Sequence, residues 1–306
     1  MGQSRPVVKS SLWYQVGHAY REILDVLLHS PAAWVFSACW LLSLAYLLLA
    51  GYARGIFLSV VLVLLIAVLS LLTIPLTVNV QPVSYTLVSK ARLWIQLGIV
   101  MFFVLLTGYE GLFTNGAIAV QSAAPSFMMP LILFLTHLPS AAINPLFYFV
   151  LPVLFLLPTG IRWHAIGFAH GYRSWAVTLL WCVPMMIVII VALFVGGTRI
   201  STLALALLRN SLNNGFFEEF LFRGVLMAIL IQLLNRRWGI VLSSLLFGLW
   251  HLGTNTASFG GSLLAGAAFG IVSQAAIGLG FAIVVYRTRN LLASSIIHVM
   301  LDVAFI

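Results

Sequence analysis

The sequence predicts an all-α protein, a polytopic transmembrane helix bundle with about eight or nine membrane segments. Hydrophobic residues make up 62% of its 306 positions and charged residues only 7%, whereas soluble domains use roughly 45–50% apolar and 25% charged residues. A soluble fold could not cover this much apolar surface. A bilayer solvates such side chains, and about 20 consecutive apolar residues cross its hydrocarbon core.

Apolar runs long enough to be membrane segments recur along the whole chain. They lie at 33–51, 56–78, 93–114, 128–158, 175–196, 204–234, 239–256, 262–286 and 291–306. The run at 128–158 contains His137, Pro139, Asn144 and Pro145. It is predicted to be one kinked crossing, with two short crossings as the alternative. The last run has about 16 residues, which is short for a core of ~30 Å unless protein encloses part of it.

The excess of basic over acidic residues, and its placement along the chain, indicate membrane topology and not nucleic acid as a partner. Fifteen Lys and Arg residues stand against six Asp and Glu residues, for a formal net charge of +9. Most of the basic residues fall in predicted loops at 79–92, 159–174, 235–238 and 287–290. Cytoplasmic loops carry such an excess. We therefore expect a multi-pass protein of the cell membrane, with a cytoplasmic N-terminus and contacts to anionic lipid.

The chain divides into three predicted regions. Residues 1–31 form a cytoplasmic segment, partly amphipathic from Trp13 to Leu28. Residues 32–200 form the N-terminal transmembrane helices. Residues 201–306 form a C-terminal core, which holds the unusual polar residues. No soluble domain and no internal repeat is visible in the sequence.

Three of the six acidic residues lie within apolar runs of this core: Glu218, Glu219 and Asp302. An ionisable residue at the centre of a membrane helix costs roughly 2.5–3.5 kcal/mol on insertion scales, so such residues are functional candidates. Glu219 and Arg223 are four residues apart and share a helix face, whereas Glu218 points about 100° away. The guanidinium can neutralise one carboxylate while the other stays available as a base. A purely structural Glu–Arg pair that locks two helices together is the alternative.

Two histidines in later runs complete a set that suits hydrolysis. His251 follows Trp250, and His298 shares one face of the last helix with Asp302, four residues on. In general acid–base hydrolysis a carboxylate takes a proton from water, an imidazole polarises that water, and other donors stabilise the oxyanion. Neither a G-x-S-x-G elbow nor a cysteine lies near these residues, so water is the predicted nucleophile.

Three motifs follow one another on successive apolar runs: Glu218-Glu219-x-x-x-Arg223, Phe247-x-x-x-His251 and His298-x-x-x-Asp302. In order and spacing they resemble the motifs of the CAAX-protease and bacteriocin-processing family, intramembrane glutamic endopeptidases that are also called Abi proteins. The local sequences Glu-Glu-Phe-Leu-Phe-Arg-Gly and Phe-Gly-Leu-Trp-His strengthen the resemblance. It covers about residues 205–306, and the preceding residues match only in being apolar.

The resemblance implies hydrolysis of a peptide bond inside the membrane by a glutamate-activated water. Glu218 would be the general base, with His251 sharing that activation. Glu219 and Arg223 would hold the local geometry. The full catalytic set that the resemblance implies adds an oxyanion site and comprises Glu218, Glu219, Arg223, His251, His298 and Asp302.

The last position of this set raises a chemical question. The family resembled has either Asn or Asp there, and an ionised Asp302 cannot donate to an oxyanion. Either this carboxyl is protonated, or it accepts a hydrogen bond from His298 and orients that ring as the donor. We favour the orienting role, in which Asp302→Asn would lose activity.

No cofactor is predicted. Two glutamates and two histidines could coordinate Zn²⁺, which keeps a metal-dependent mechanism as the disfavoured alternative. The chain has no H-E-x-x-H on one helix, and the family resembled consists of glutamate proteases without an obligatory metal.

The sequence therefore predicts an endopeptidase of a membrane peptide or protein, with a prenylated substrate as one option. A catalytically silent protein of the same fold, acting in bacteriocin immunity or as a partner-binding factor, is the main alternative. A transporter with a buried proton relay is a third hypothesis. The scarcity of charged residues within the apolar runs of the first two hundred residues counts against it.

Overall fold

The computed structural model describes residues 11–80, 89–114 and 140–305, and within these ranges the chain folds into helices without a β-strand. Apart from two short 3-10 turns, we number the helices in chain order as α1 (Leu12–His29), α2 (Pro31–Leu49), α3 (Ala53–Leu76), α4 (Lys90–Thr114), α5 (140–156), α6 (Ser174–Phe194), α7 (Ile200–Asn213), α8 (215–233), α9 (Arg236–Trp250), α10 (Leu252–Ser258), α11 (Leu263–Thr288) and α12 (Leu291–Ala304). Single π-helical segments interrupt α5, α8 and α11, at Leu146–Val150, Phe220–Leu226 and Ile271–Ala275. The predicted all-α class is confirmed.

Six of the described helices are long and apolar enough to cross a membrane. These spans are Pro31–Leu49, Gly55–Leu76, Lys90–Leu112, Ala142–Thr159, Ser174–Phe194 and Leu263–Thr288. Their length and apolarity support an integral membrane protein, whereas the predicted number of eight or nine segments is not confirmed. The run at 128–158 is helical from Ser140 onward, and His137 and Pro139 lie outside the described residues.

The predicted segment at 204–234 does not form one continuous helix, because Asn214 separates α7 from α8. The break is stabilised by side-chain amides. Nδ2 of Asn144, in α5, donates to the carbonyl oxygen of Asn213 at 2.8 Å. The Asn214 amide in turn donates to Oδ1 of Asn210 at 3.0 Å. The first bond satisfies a backbone carbonyl that a continuous helix would otherwise pair, and the second holds the Asn214 side chain.

The predicted segment at 239–256 is also wrong as one helix. α9 ends at Trp250, His251 is its C-cap, and α10 begins at Leu252. Gly253 lies close to α4, since a Cβ there would contact the carbonyl group of Gly111. A residue with a side chain would prevent α10 from packing this closely on α4.

The amphipathic stretch predicted from Trp13 to Leu28 forms α1, which is fastened to the rest of the bundle by polar contacts. The Tyr20 hydroxyl donates to the Leu71 carbonyl oxygen at 3.1 Å. Nη2 of Arg236 donates to Oε1 of Glu22 at 2.8 Å. That hydrogen bond lowers the pKa of the Glu22 carboxyl below its ordinary value. Both partners are about half exposed, so the pair contributes little stability.

α8 is the central helix of the bundle. Every side chain from Glu218 to Ile231 is buried, and the helix packs against α4, α5, α9 and α12. Its apolar side chains form the largest core cluster with Phe103, Phe147 and Phe247. The two glutamates and the arginine of the first motif are thus buried inside the bundle.

Candidate active site

The paired glutamates lie in the first turns of α8, and Gly215 brings this end of the helix against α12. A Cβ at Gly215 would contact Cγ2 of Val299 and lie 3.0 Å from the Ser295 carbonyl oxygen. Only glycine permits so close an approach of the two helices. The contact places Glu219 opposite His298, one turn along α12.

Glu219 is the centre of a buried polar cluster. Nη1 of Arg223 donates to its Oε1 at 2.9 Å, and both side chains are fully buried. Nδ1 of His298 lies 3.1 Å from the same oxygen. The predicted Glu219–Arg223 pair is therefore present within one helix, and it is the bond to His298 that joins two helices. A charge-assisted bond of this kind is among the stronger ones in proteins.

Arg223 is held in an aromatic setting. Its guanidinium carbon lies 3.8 Å from the centroid of the Phe247 ring and 5.5 Å from that of Phe281. Stacking on these faces adds a cation–π attraction to the ion pair. Gly278 leaves the necessary space, because a Cβ there would come within 2.7 Å of Nη2 of Arg223.

We expect Gly278→Ala to displace the guanidinium and disturb the cluster. Overpacking of a buried site costs roughly 1–3 kcal/mol, so the melting temperature and any proteolytic activity should both fall. Gly98→Ala in α4 is the matched control, since no atom lies within 4 Å of a Cβ at that position. Equal melting temperatures for the two variants would contradict this account of Arg223.

His251 presents one defined nitrogen to the site. Its Nδ1 lies 2.9 Å from the Phe247 carbonyl oxygen, four residues back in α9. A carbonyl only accepts, so Nδ1 carries the hydrogen, and Nε2 of the neutral ring is left with its lone pair. The same bond satisfies a carbonyl at the helix terminus. The backbone of α9 thus fixes both the tautomer and the direction of the ring.

Glu218 lies between the two imidazoles. Its Oε2 is 3.9 Å from Nε2 of His251 and 3.9 Å from Nε2 of His298. Both distances exceed a direct hydrogen bond and match a spacing that one water molecule can bridge. The carboxylate is 6% exposed. Glu218 is therefore separate from the ion pair of its neighbour, as the helical offset of the two glutamates predicted.

Asp302 joins the cluster from the last turn of α12. Its Oδ1 lies 3.8 Å from Nε2 of His298, which is too long for a hydrogen bond. The expectation that Asp302 orients His298 through such a bond is wrong in this structure. Glu219 makes that contact at Nδ1 instead, because close helix packing at Gly215 brings it nearer to the ring. The Asp302 carboxylate interacts with the side-chain amide of Asn214.

Three residues near the site were not identified from the sequence: Asn144, Tyr148 and Asn214. Asn144 and Asn214 belong to the amide network at the start of α8. The Tyr148 ring packs edge-on against Trp250 at 5.2 Å, and it lies within electrostatic range of Glu218. Their signal was the occurrence of polar side chains in apolar runs, but nothing in the sequence placed those runs beside α8.

The structure brings all six predicted site residues into one cluster. It offers a carboxylate with an acceptor imidazole and a second imidazole each 3.9 Å from its Oε2, and groups of these kinds can activate water and stabilise an oxyanion. Among the described residues, no three His, Cys, Asp or Glu side chains are arranged to hold a metal ion. Independence from metal remains a prediction.

Comparison with known proteins gives one match. Residues 200–304 match a family model described as Type II CAAX prenyl endopeptidase Rce1-like. The match contains all three motifs and bears out, for this part of the chain, the resemblance to the CAAX-protease and bacteriocin-processing family. No curated protein and no solved structure gives a significant match to the chain.

Proposed function

We propose, from the membership of residues 200–304 in the Rce1-like endopeptidase family, that this protein is an intramembrane glutamic endopeptidase. Its substrate is a membrane peptide or protein. The observation that carries the proposal is the position of Glu218, whose Oε2 lies 3.9 Å from the Nε2 atoms of both His251 and His298. A buried carboxylate flanked by two imidazoles is suited to a proton transfer during hydrolysis.

In the proposed reaction, a water molecule is held between Oε2 of Glu218 and Nε2 of His251. Glu218 takes its proton while the water oxygen attacks the carbonyl carbon of the scissile bond. When the C–N bond breaks, Glu218 returns this proton to the leaving nitrogen. The products are a carboxylic acid and an amine, and the enzyme regains its starting state.

His298 is the proposed donor to the oxyanion. When protonated, its ring donates from Nδ1 to Glu219 and from Nε2 into the space beside Glu218. Glu219 is in turn held by Arg223 at 2.9 Å. The ion pair thus acts as the support of the donor, and it touches neither water nor substrate.

The first test is cleavage of a panel of fluorogenic membrane peptides by the protein in lipid nanodiscs. We expect cleavage by the wild type, loss of it in Glu218→Ala and His251→Ala, and no effect of a chelator. His251→Asn is the matched control, since its amide can still donate to the Phe247 carbonyl but places no acceptor at the position of Nε2, which holds the water. Inactivity of this variant at unchanged stability would separate catalysis from helix capping.

Two results would overturn the proposal. Cleavage that a chelator abolishes and Zn²⁺ restores would establish a metal mechanism. Absence of cleavage by the wild type across the panel, with variants of equal stability, would favour the catalytically silent, partner-binding protein.

The carboxylate of Asp302 is proposed to hold the Asn214 amide, with no orienting bond to His298. We therefore expect Asp302→Asn to keep activity within about tenfold of the wild type, since an amide can hydrogen-bond the same partners. Asp302→Leu should lower kcat by about 10²-fold, the scale of a lost polar contact in a transition state. Equal losses in both variants would show instead that the negative charge itself is required.

A further inference from the structure

The two ends of the helix bundle differ in charge. Among the described residues, nine basic residues lie at one end, which we call the basic end: Arg21, Lys90, Arg92, Arg162, Arg173, Arg236, Arg237, Arg287 and Arg289. Three lie at the opposite end, which we call the site end: Arg54, Arg199 and Arg209. The sequence between Thr114 and Ser140 contains no Lys or Arg.

Contacts between distant parts of the chain bring the basic residues to one end. Nε of Arg287 donates to the Thr77 hydroxyl at 2.9 Å, and Arg236 binds Glu22 at 2.8 Å. The backbone nitrogen of Tyr172 donates to the Thr288 carbonyl oxygen at 2.6 Å. These bonds join the C-terminal ends of α3 and α11, the loop before α6, and α1. Segments far apart in the sequence therefore meet at the basic end.

A second set of contacts defines the site end. The rings of Tyr52 and Phe259 meet edge-to-face at 4.9 Å. The Asn144 amide reaches the Asn213 carbonyl oxygen, and Gly253 packs on Gly111. The loop between α2 and α3, the ends of α4 and α7, and the start of α5 all meet here.

The candidate catalytic groups lie at the site end. α9 runs for 15 residues from the basic end before it reaches His251, a distance of about 22 Å at the helical rise. Glu218 is the fourth residue of α8, which runs from the site end to the basic end. Asp302 stands two residues before the end of α12. In a hydrocarbon core of ~30 Å, this places the cluster in the half away from the basic residues.

From these positions we infer that the active site lies in the extracytoplasmic half of the membrane. An excess of Lys and Arg marks cytoplasmic loops, so the basic end faces the cytoplasm and the site end faces outward. This inference rests on the proposed function for its substrate. The polypeptide that is cut presents its scissile bond from the extracytoplasmic side, unlike the C-terminal tail of a prenylated cytosolic protein.

α7 lies at the site end directly before the helix that carries Glu218. It is an amphipathic helix at the site end, with Ile200, Leu205 and Leu208 exposed on its apolar side. Its last residue, Asn213, is five positions before Glu218. A peptide that binds at the outer membrane surface along α7 therefore arrives next to the base.

The orientation is tested by cysteine labelling in intact bacterial cells, in a background with Cys39→Ala and Cys182→Ala. Single cysteines are introduced at exposed positions of the two ends, as Ser211→Cys and Ser258→Cys at the site end and His164→Cys and Ser89→Cys at the basic end. We expect a membrane-impermeant maleimide to label the site-end cysteines at least tenfold more than the basic-end pair. Permeabilisation should remove the difference. Labelling of the basic-end pair alone would overturn the inference, whatever the activity of the protein.

A second measurement separates sidedness from catalysis. Right-side-out and inverted vesicles that contain the wild type receive an impermeant fluorogenic peptide, with Glu218→Gln vesicles as the background. We expect cleavage above background by right-side-out vesicles only, and cleavage by inverted vesicles only would overturn the inference. If neither cleaves while Ser211→Cys is labelled from outside, the proposed function fails and the sidedness stands.

Discussion

Glu218→Gln is expected to abolish proteolysis without lowering the stability of the fold. A general base contributes about 10²–10⁴-fold to a rate, and the amide keeps the shape of the side chain but cannot take a proton from water. Glu218 is outside the ion pair, and its Oε2 has no side-chain partner closer than 3.9 Å. Neutralising it therefore removes no direct hydrogen bond of Oε2. The measurement is kcat/KM in lipid nanodiscs together with the melting temperature.

The matched control for this variant is Glu22→Gln, which removes a carboxylate from the surface of α1 at the other end of the bundle. Its only cost is an exposed pair with Arg236, worth about 0–1 kcal/mol. We expect near wild-type cleavage. If Glu218→Gln kept more than about a tenth of the wild-type kcat/KM, Glu218 would not be the general base.

Glu219 and Arg223 are expected to dominate stability. Removal of one partner from a buried ion pair typically costs about 3–5 kcal/mol, because the other charge is left uncompensated. Glu219→Leu leaves Arg223 without its carboxylate. Arg223→Met leaves Glu219 with His298 and Ser294 but without its cationic partner in α8. Both single variants should therefore unfold at clearly lower temperature or denaturant concentration. The double variant should recover most of this loss, since a buried pair replaced by apolar side chains is often neutral.

The double variant also separates structure from catalysis. If the pair supports His298 as proposed, the recovered protein is folded and inactive, because the ring has lost its partner at Nδ1. A folded double variant with wild-type cleavage would instead show that the pair is purely structural. A double variant less stable than either single one would contradict the assignment of the pair as a compensated unit.

The fold class and the residues that gather in the candidate site could be predicted, because both follow from patterns of residues close together in the sequence. Apolar runs indicated helices in lipid, and the four-residue spacing of Glu219 and Arg223 placed them on one helix face. The offset of Glu218 from its neighbour follows from helical geometry alone. These features depend only on residues a few positions apart.

The breaks of the helices and the partners of His298 could not be predicted in this way. The chain turns at Asn214 because Asn144, some seventy positions earlier, supplies a donor to the neighbouring carbonyl. His298 binds Glu219 across 79 positions because Gly215 lets two helices approach. Spacing within one run suggested Asp302 as the partner, but tertiary packing decided the contact.

The position of α7 bears on how the protein behaves once it is extracted from the membrane. A detergent micelle lacks the flat boundary between headgroups and acyl chains on which an amphipathic helix rests. Ile200, Leu205 and Leu208 are among the exposed apolar residues that would lose this surface. We therefore expect solubilisation to loosen α7, whereas the amide bonds at Asn214 keep the start of α8 and Glu218 in place.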